Sequence, residues 1–310
     1  MKILVDIGGT YARFASEQGG QPANMKKYAA ADFETFDDAL GHYLNETGIH
    51  QEISLLIATA AHPDEKNVWR FVNRNKWKID VAALGNVDVI LNDFEAATWG
   101  LVDLKDQKIL KKGRENKIAP RVLVGPGTGL GLGYLIPHGK QFHVQGTQGG
   151  HLATPALNDE HHRVLQAVDR IKGRTCLNVY EDVVSGPGFY NLYAALCSLS
   201  DEEQIAQSAD ELLGHTKSPA VRDALRLFHE FFALFAATVT VGAGAYGGLY
   251  LMGGVLDRLS EKGLFDLAHF EKFFAGNFVP SVKKALDATP IIHVTDAHVA
   301  FHGLIRAADA

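Results

Sequence analysis

An aspartate stands where a short apolar run gives way to a helix-like pattern. Residues 87–91 are mostly β-formers, which is typical of a strand buried on both faces of a parallel sheet. Asp93 follows at the carboxyl end of this strand, where open α/β sheets bind their ligands. A carboxylate in that place can deprotonate a substrate hydroxyl. The alternative interpretation is that Asp93 is a helix N-cap after Asn92.

A glycine loop with the sequence DIGGT precedes this strand. Gly8 and Gly9 permit positive φ and close approach of the backbone to a phosphate, and Thr10 supplies a hydroxyl. Asp6 is a hard carboxylate suited to Mg²⁺, directly or through water. Arg13 is placed to make a charge-assisted contact with a transferring phosphate. The alternative is a tight β-hairpin whose glycines serve only the turn.

A second glycine loop, GPGTGLG, occupies residues 125–131. No lysine follows it, so it is not a Walker A loop, and it lacks the GxGxxG spacing and helix of a dinucleotide site. Its candidate phosphate contacts are Gly127, Thr128 and Gly129. Downstream, Gly253 and Gly254 follow a strand-like LYLM, where an adenine or ribose could lie against backbone. Such a glycine pair is also common as a plain strand-to-helix turn.

Composition limits the class of protein. The 310 residues are 46% hydrophobic and 21% charged, as in an ordinary globular protein, and exceed the length of a typical single core, so we expect two lobes. The net charge of −6 argues against non-specific binding to nucleic acid or anionic membranes. Two cysteines without CxxC spacing and no cleavage-site pattern at the N-terminus predict a cytoplasmic protein without disulfides.

The uncharged stretch 231–256 is long enough to cross a membrane. It contains three pairs or near-pairs of glycine and ends in a β-like segment. We therefore predict a buried helix, a turn and a buried strand.

The hydrophobic pattern predicts a mixed α/β lobe over the first hundred residues. Its strands are expected at 2–7, 12–16, 25–30, 53–60 and 87–92, with a helix at 35–47. A charged boundary or surface loop is expected at 103–120. The strand, glycine turn and strand that begin at Arg121 echo the N-terminus, which indicates a weak internal duplication. Later helices are expected at 159–171, 189–199, 201–213, 221–241 and 297–308, with strands at 249–252 and 291–295.

Taken in order, these elements resemble the sugar kinases of the actin, Hsp70 and hexokinase superfamily. GTQGGHLATP at 146–155 and YEDVVSGPGFYNLY at 180–193 are similar to segments of the bacterial ATP-dependent glucokinases. The resemblance covers nearly the whole chain. It implies an α/β, two-lobe actin-like ATPase (ribonuclease H-like) fold with a cleft between the lobes. We expect a small α/β lobe at 1–103, completed by a C-terminal helix at 296–310, and a large α/β lobe at 104–295.

The resemblance also implies roles for individual residues. Asp93 would be the general base on the sugar 6-hydroxyl, and ATP with Mg²⁺ would be the phosphoryl donor. The metal would lie at Asp6. Sugar hydroxyls would be bound by Asn73, Asn92, Asp93, Gln148, His151 and Glu181. The nucleotide would be bound by Asp6, Gly8, Gly9, Thr10, Arg13, Gly127, Thr128, Gly129, Gly253 and Gly254.

Two departures from the glucokinase pattern bear on the sugar. The family normally has Glu where this chain has Gln148, and an amide donates hydrogen bonds as well as accepting them. The segment 58–67 keeps Pro63 but lacks the glycine that usually follows it. A sugar with an altered 2-substituent, such as N-acetylglucosamine, is therefore a contender beside glucose.

The expected function is ATP-dependent phosphorylation of a hexose at the 6-hydroxyl, most plausibly of glucose. The alternatives are an N-acetylglucosamine kinase and a non-catalytic sugar-sensing protein. A nucleic-acid-binding regulator is not expected, because it would need a basic helix-turn-helix extension and none precedes the first strand. The chain also lacks the cysteine-rich zinc motif of the repressor-type sugar kinases. The resemblance suggests a homodimer with a small-molecule hexose as ligand and no nucleic-acid or membrane partner.

Overall fold

A computed structural model describes residues 1–71, 74–114, 116–174 and 178–310 of the chain. The chain divides into two compact units. Unit 1 comprises Met1–Gln107, His138–Gly146 and Thr295–Ala310, and unit 2 comprises Lys108–Pro137 and Thr147–Val294.

The strands are β1 (Lys2–Ile7), β2 (Tyr11–Gln18), β3 (Gln21–Ala29), β4 (Ser54–Thr59), β5 (His62–Pro63), β6 (Val68–Phe71), β7 (Arg74–Asp80), β8 (Val87–Asn92), β9 (Gln107–Lys111), β10 (Arg121–Pro126), β11 (Leu130–His138), β12 (Gln141–Thr147), β13 (Gly248–Leu251) and β14 (Ile291–Val294). The helices are α1 (Phe36–Thr47), α2 (Val81–Leu84), α3 (Asp93–Gly100), α4 (Asp159–Ile171), α5 (Gly186–Ser200), α6 (Ala209–Leu212), α7 (Pro219–Gly242), α8 (Gly254–Glu261), α9 (Leu267–Gly276), α10 (Pro280–Ala288) and α11 (Val299–Ala308).

Unit 1 is built on a mixed sheet with the strand order β3-β2-β1-β4-β8. The hairpin strands β1, β2 and β3 pair antiparallel, whereas β1, β4 and β8 run parallel. The parallel strands therefore end at one edge of the sheet, where β8 leads into α3. The short strands β5, β6 and β7 form a separate antiparallel sheet.

Helices cover both faces of the unit 1 sheet. On one face Phe36 and Tyr43 of α1 pack against Phe14 of β2. On the other face α11 lies against α3 so closely that a Cβ built on Gly303 would be 1.7 Å from the carbonyl oxygen of Ala96. Glycine at position 303 is thus required for this helix pair, which buries the strand faces opposite α1.

Unit 2 repeats the same plan. β10 pairs antiparallel with β11 and parallel with β13, and β13 pairs parallel with β14. The relation of β10 to β11 and β13 matches that of β1 to β2 and β4, which agrees with the internal duplication expected from the sequence. Each of β9 and β12 spans a boundary between the units.

The core of unit 2 is dominated by α7 and its neighbours α5 and α9. α7 is, among the described residues, the one helix long and apolar enough to cross a membrane, with 78% of its most apolar window buried. It packs as a core helix, with Phe228, Phe231, Phe232 and Phe235 almost fully buried. The helix, turn and strand predicted over 231–256 are all present.

Most predicted elements are confirmed, and the misses have physical causes. The helix expected at 201–213 is only the short α6, because Asp201 adopts a left-handed conformation and ends α5. The loop expected at 103–120 contains β9, a strand whose residues are largely exposed and polar. The strands of the β5–β7 sheet and the helix α10 were not predicted, since their apolar residues are few and irregularly spaced.

Candidate active site

The junction between β8 and α3 makes Asp93 the first residue of the helix. Asn92 is the N-cap, and its side-chain oxygen accepts from the N–H of Phe94 at 3.0 Å. The carboxylate of Glu95 accepts from the backbone N–H of Asn92. The interpretation of Asp93 as the N-cap residue is therefore wrong, because Asn92 holds that position. Oδ1 of Asp93 shares the N–H of Phe94 at 2.9 Å, and its second oxygen, Oδ2, remains for other partners.

Asp93 has the electrostatic character of a base that titrates near neutrality. Burial, and after it repulsion by the carboxylate of Asp6, raise its pKa from 3.8 to about 6. A backbone hydrogen bond from Phe94, 2.9 Å from Oδ1, acts in the opposite direction. A carboxylate with a raised pKa is a stronger proton acceptor that is still largely ionised at pH 7.

Asp6 lies at the same edge of the sheet as Asp93. Its β1 position pairs with Ala58 of β4, and the next β4 residue, Thr59, pairs with Asn92. Across the hairpin Asp6 is opposite Arg13, whose Nη1 donates to Oδ2 at 2.7 Å. The side chain of Arg13 remains 44% exposed. The two carboxylates and the guanidinium thus form one charged group at the strand ends.

The DIGGT hairpin does not use the positive φ expected for Gly8 and Gly9. Neither residue has a left-handed φ, because the turn is closed by ordinary backbone pairing, with the N–H of Gly8 donating to the carbonyl of Tyr11 at 3.0 Å. A Cβ on Gly8 would meet only the Tyr11 oxygen, at 3.8 Å. The folded hairpin itself therefore tolerates a side chain at position 8, and its contacts do not explain the glycine there.

In unit 2 the second glycine loop is fixed by backbone hydrogen bonds. The N–H of Gly127 donates to the carbonyl of Gly129, and the carbonyl of Gly127 accepts from Gly186, both at 2.8 Å. Gly186 opens α5 after Ser185, whose side chain caps that helix by accepting from Gly188. The SGPG sequence thus brings the start of α5 against the loop. Thr128 lies exposed between the two glycines.

Glu181 is held on the second glycine loop. Its Oε2 accepts from the N–H of Leu130 at 2.8 Å, and a Cβ on Gly129 would lie 2.6 Å from the same oxygen. A side chain at position 129 would therefore displace the Glu181 carboxylate from this position. This contact joins a predicted sugar-binding residue to a predicted phosphate-binding loop.

The glycine pair after β13 has two different functions. Gly253 has a φ of +115°, and a Cβ there would be 2.6 Å from the carbonyl oxygen of Pro126, so the fold requires glycine. Gly254 begins α8, and a Cβ there would have no described atom within 4 Å. The backbone at Gly254 is thus accessible next to the second glycine loop.

The GTQGGH segment presents Gln148 and His151 at the surface of unit 2. Gly149 and Gly150 are buried, and Cβ atoms on them would be 2.2 Å from Leu132 and 2.5 Å from the Leu130 carbonyl. The glycines therefore let this segment pack onto β11. Gln148 and His151, on either side of them, are both exposed.

The predicted site residues fall into two groups. Unit 1 brings together Asp6, Arg13, Asn92 and Asp93 beside the hairpin of Gly8, Gly9 and Thr10. Unit 2 brings together Glu181, the 127–129 loop and Gly253, with Gln148 and His151 on an adjacent segment. Asn73 lies outside the described residues, and its role stays a prediction.

A family model described as Glucokinase matches residues 3–310. The chain belongs to the glucokinase family. Relatives include the bifunctional protein glk of Paraburkholderia xenovorans, 32% identical over 98% of this chain and 48% of that protein. The glucokinase of Chromohalobacter salexigens is 31% identical over 88% of this chain and 87% of its own. The chain spans about half the length of the bifunctional relatives, between 42% and 48%.

Solved structures agree with the fold. The glucokinase of an Antarctic psychrotroph superposes with a TM-score of 0.82 at 22% identity, covering 99% of this chain and 98% of that one. The glucokinase of Balamuthia mandrillaris, in complex with glucose, gives 0.81 at 19% identity, with 100% and 93% covered. A ROK family glucokinase from Streptomyces griseus, in complex with glucose and AMPPNP, gives 0.58 at 20% identity, with 99% and 98% covered. The two-lobe α/β kinase fold expected from the sequence is confirmed.

Two carboxylates beside the predicted site residues were not singled out from the sequence. Glu95 accepts from the N–H of the N-cap Asn92, and the signal for it was present in the spacing Asn-Asp-Phe-Glu. Asp182, next to Glu181, carries a buried carboxylate with two cationic partners. These partners, Lys172 and Arg174, lie beyond the end of a different helix, so no local sequence pattern identifies the cluster.

Proposed function

We propose that this chain transfers the γ-phosphoryl group of ATP to the 6-hydroxyl of a hexose, with glucose as the first candidate. The observation that carries the proposal is Asp93, a carboxylate at a strand end whose pKa is raised to about 6 by burial and by Asp6. A base with this pKa removes a proton from a hydroxyl as the phosphoryl group is transferred. Membership of the glucokinase family gives the substrate class.

The residues of unit 1 suit a metal-bound phosphate. Arg13 engages Oδ2 of Asp6, and the other carboxylate oxygen is a hard donor of the kind that Mg²⁺ takes. No group of three or more metal-ligating side chains occurs among the residues that the structure describes, which fits a metal held by one or two carboxylates together with substrate phosphates. When bound, Mg²⁺ neutralises charge on the phosphoryl oxygens. Arg13 supplies positive charge beside it, and the hairpin supplies the exposed hydroxyl of Thr10 as a donor.

The residues of unit 2 suit the sugar and the rest of the nucleotide. Glu181 has one oxygen committed to Leu130 and a second that can accept from a sugar hydroxyl, and His151 is exposed on the neighbouring segment. The exposed hydroxyl of Thr128 and the open backbone at Gly254 suit phosphate and ribose. Asn92 would add its amide N–H to the hydroxyls near Asp93.

N-acetylglucosamine is the second candidate substrate, and Gln148 is the observation that favours it. Where a carboxylate would only accept hydrogen bonds, the amide of Gln148 can donate to an acetyl oxygen. Gln148 is exposed beside His151, where such a contact is sterically open.

The test is ADP release with excess Mg·ATP across glucose, N-acetylglucosamine, mannose, fructose and glucosamine. Glucose preference supports the first candidate, and N-acetylglucosamine preference makes Gln148 a specificity residue, to be checked with Gln148→Glu. Sugar binding by calorimetry without any ADP release would overturn the kinase assignment in favour of a sugar sensor. The homodimer and the cytoplasmic location remain predictions.

A further inference from the structure

A buried carboxylate in unit 2 is held by two cations but does not reach the proposed substrate groups. The side chain of Asp182 is 4% exposed. Its Oδ1 accepts from Nζ of Lys172, and its Oδ2 accepts from Nη1 of Arg174 at 2.7 Å. Lys172 is the C-cap of α4. The Lys172–Asp182–Arg174 cluster therefore ties the end of α4 to the segment that contains Glu181.

The Asp182 carboxylate also shapes that segment directly. Oδ2 accepts from the backbone N–H of Val179 at 3.0 Å, and the carbonyl of Asp182 accepts from Asn191 of α5 at 2.9 Å. Together these bonds fix the 3-10 helix Tyr180–Asp182 at both ends. Glu181 lies in the middle of this helix, with its carboxylate on the N–H of Leu130.

The same segment determines the position of the His151 segment. The N–H of Tyr180 donates to the carbonyl of Leu152, and the N–H of Thr154 donates to the carbonyl of Asn178, both at 3.0 Å. This short antiparallel bridge, centred on Ala153 and Val179, makes one platform of the two segments. A shift at Asp182 would therefore move Glu181 and His151 together.

A buried carboxylate is costly to retain unless its partners are well placed. Apolar side chains would anchor the segment as well, but they would not determine its position through three directed hydrogen bonds to one carboxylate. We propose that the Lys172–Asp182–Arg174 cluster is a positioning device that holds Glu181 and His151 in register with the second glycine loop for hexose binding. Because Glu181 and His151 contact sugar only if the chain is a hexose kinase, this role rests on the proposed function.

The experiment compares Asp182→Asn, Lys172→Met and Arg174→Met with the wild-type protein. Displacement of binding groups by about 1 Å can cost on the order of 100-fold, so we expect KM for the hexose to rise by about tenfold or more while KM for ATP changes less. Arg174→Lys, which keeps the charge, should recover part of the loss. Hydrogen exchange at the Leu130 amide, which donates to Glu181, should accelerate in the same variants.

Glu230→Gln is the matched control, because Glu230 is also a buried carboxylate of unit 2, held by Arg226 of α7 and His269 of α9. It should lower thermal stability without raising hexose KM or changing exchange at Leu130. Equal KM effects in Glu230→Gln and Asp182→Asn, or unchanged KM and exchange in the Arg174→Met variant, would overturn the positioning role. If the wild-type chain phosphorylates no hexose, the proposed function fails, and exchange at Leu130 still decides whether the cluster positions Glu181.

Discussion

Two carboxylates at the same edge of the unit 1 sheet have different surroundings. Asp6 is neutralised by Arg13 at 2.7 Å. Asp93 is partly buried, accepts a backbone N–H from Phe94 and is repelled by Asp6. Such a difference in surroundings gives two chemically similar carboxylates different roles. Asp6 suits a metal or phosphate partner, and Asp93 suits proton transfer.

The activity should therefore depend on pH through Asp93. Since only the ionised carboxylate accepts a proton, kcat/KM for the hexose should fall as pH decreases, with a midpoint near the raised pKa of about 6. In Asp93→Asn, kcat should fall by about 10² to 10⁴-fold. Initial rates between pH 5 and 8 measure both. An acid limb near pH 4, or near wild-type turnover in the variant, would remove Asp93 as the base.

Asp93→Asn should at the same time stabilise the fold at neutral pH. The ionised form is disfavoured in the folded state, so wild-type stability is lost as pH rises through the folded pKa of about 6. The shift from 3.8 to about 6 corresponds to at most about 3 kcal/mol. The gain in the free energy of unfolding should be present at pH 8 and vanish below pH 4. Urea titrations at both pH values check it, and a gain that does not depend on pH would contradict this cause.

At the scale of single residues the sequence predicted Asp93 because a strand end and a helix start are local patterns. It could not predict the raised pKa, since burial and the repulsion by Asp6 depend on β1 and β8, which are distant in the chain and meet across β4. Asp182 was missed because its partners Lys172 and Arg174 follow the end of α4 rather than a helical spacing.

At the scale of elements, the structure separates glycines that the fold requires from glycines that it does not. A Cβ on Gly253 would meet the Pro126 carbonyl, and one on Gly129 would displace the Glu181 carboxylate. Gly8, Gly127 and Gly254 have ordinary backbone angles and room for a Cβ. The sequence identified all of them as loop glycines, but only the contacts show which of them the fold itself explains.

Alanine substitutions should divide in the same way. Gly8→Ala and Gly254→Ala should leave the melting temperature nearly unchanged and raise KM for ATP by about tenfold, because the added methyl group occupies the space of the phosphates or ribose. Gly253→Ala should cost roughly 1 kcal/mol or more of stability, because its φ is unsuited to alanine. Melting curves and ATP kinetics provide the measurement.

Gly41→Ala is the control for these substitutions. Gly41 is inside α1 with no described atom within 4 Å of a Cβ, so alanine should stabilise the protein by about 0.5–1 kcal/mol without changing KM. If Gly8→Ala and Gly254→Ala behave like Gly41→Ala in ATP kinetics, these loops do not bind the nucleotide.

At the scale of the whole molecule, the two units respond to acid in opposite directions. In unit 1, protonation of Asp93 below about pH 6 relieves its repulsion by Asp6, which favours the folded state. In unit 2, burial raises the pKa of Glu230, but hydrogen bonds from His161, His269 and Arg226 outweigh it and lower the pKa to about 2. Such a carboxylate stabilises the fold above pH 4.5 and loses that effect as pH falls.

His229 makes the stability of unit 2 sensitive to acid at a higher pH than Glu230 does. It is neutral in the fold, with Nδ1 bonded to the carbonyl of Leu225 at 2.6 Å and Nε2 accepting from the N–H of Asp266 at 3.1 Å. Burial lowers its pKa. Among the neighbouring side chains, Asp266 and Glu230 raise the pKa, whereas His269 lowers it further. Stability from His229 is therefore present above pH 6.5 and is lost below it.

Unit 2 should consequently unfold at a higher pH than unit 1 in an acid titration. Trp69, Trp77 and Trp99 all lie in unit 1, so tryptophan fluorescence reports that unit, whereas α4 to α10 lie in unit 2 and dominate the far-UV circular dichroism. The helical signal should decrease before the fluorescence changes. His229→Gln should flatten the pH dependence of the melting temperature between pH 6.5 and 5, while His162→Gln, at an exposed site on α4, should not. Coincident transitions in the wild-type protein would mean that the units unfold together and that their opposite titrations do not separate them.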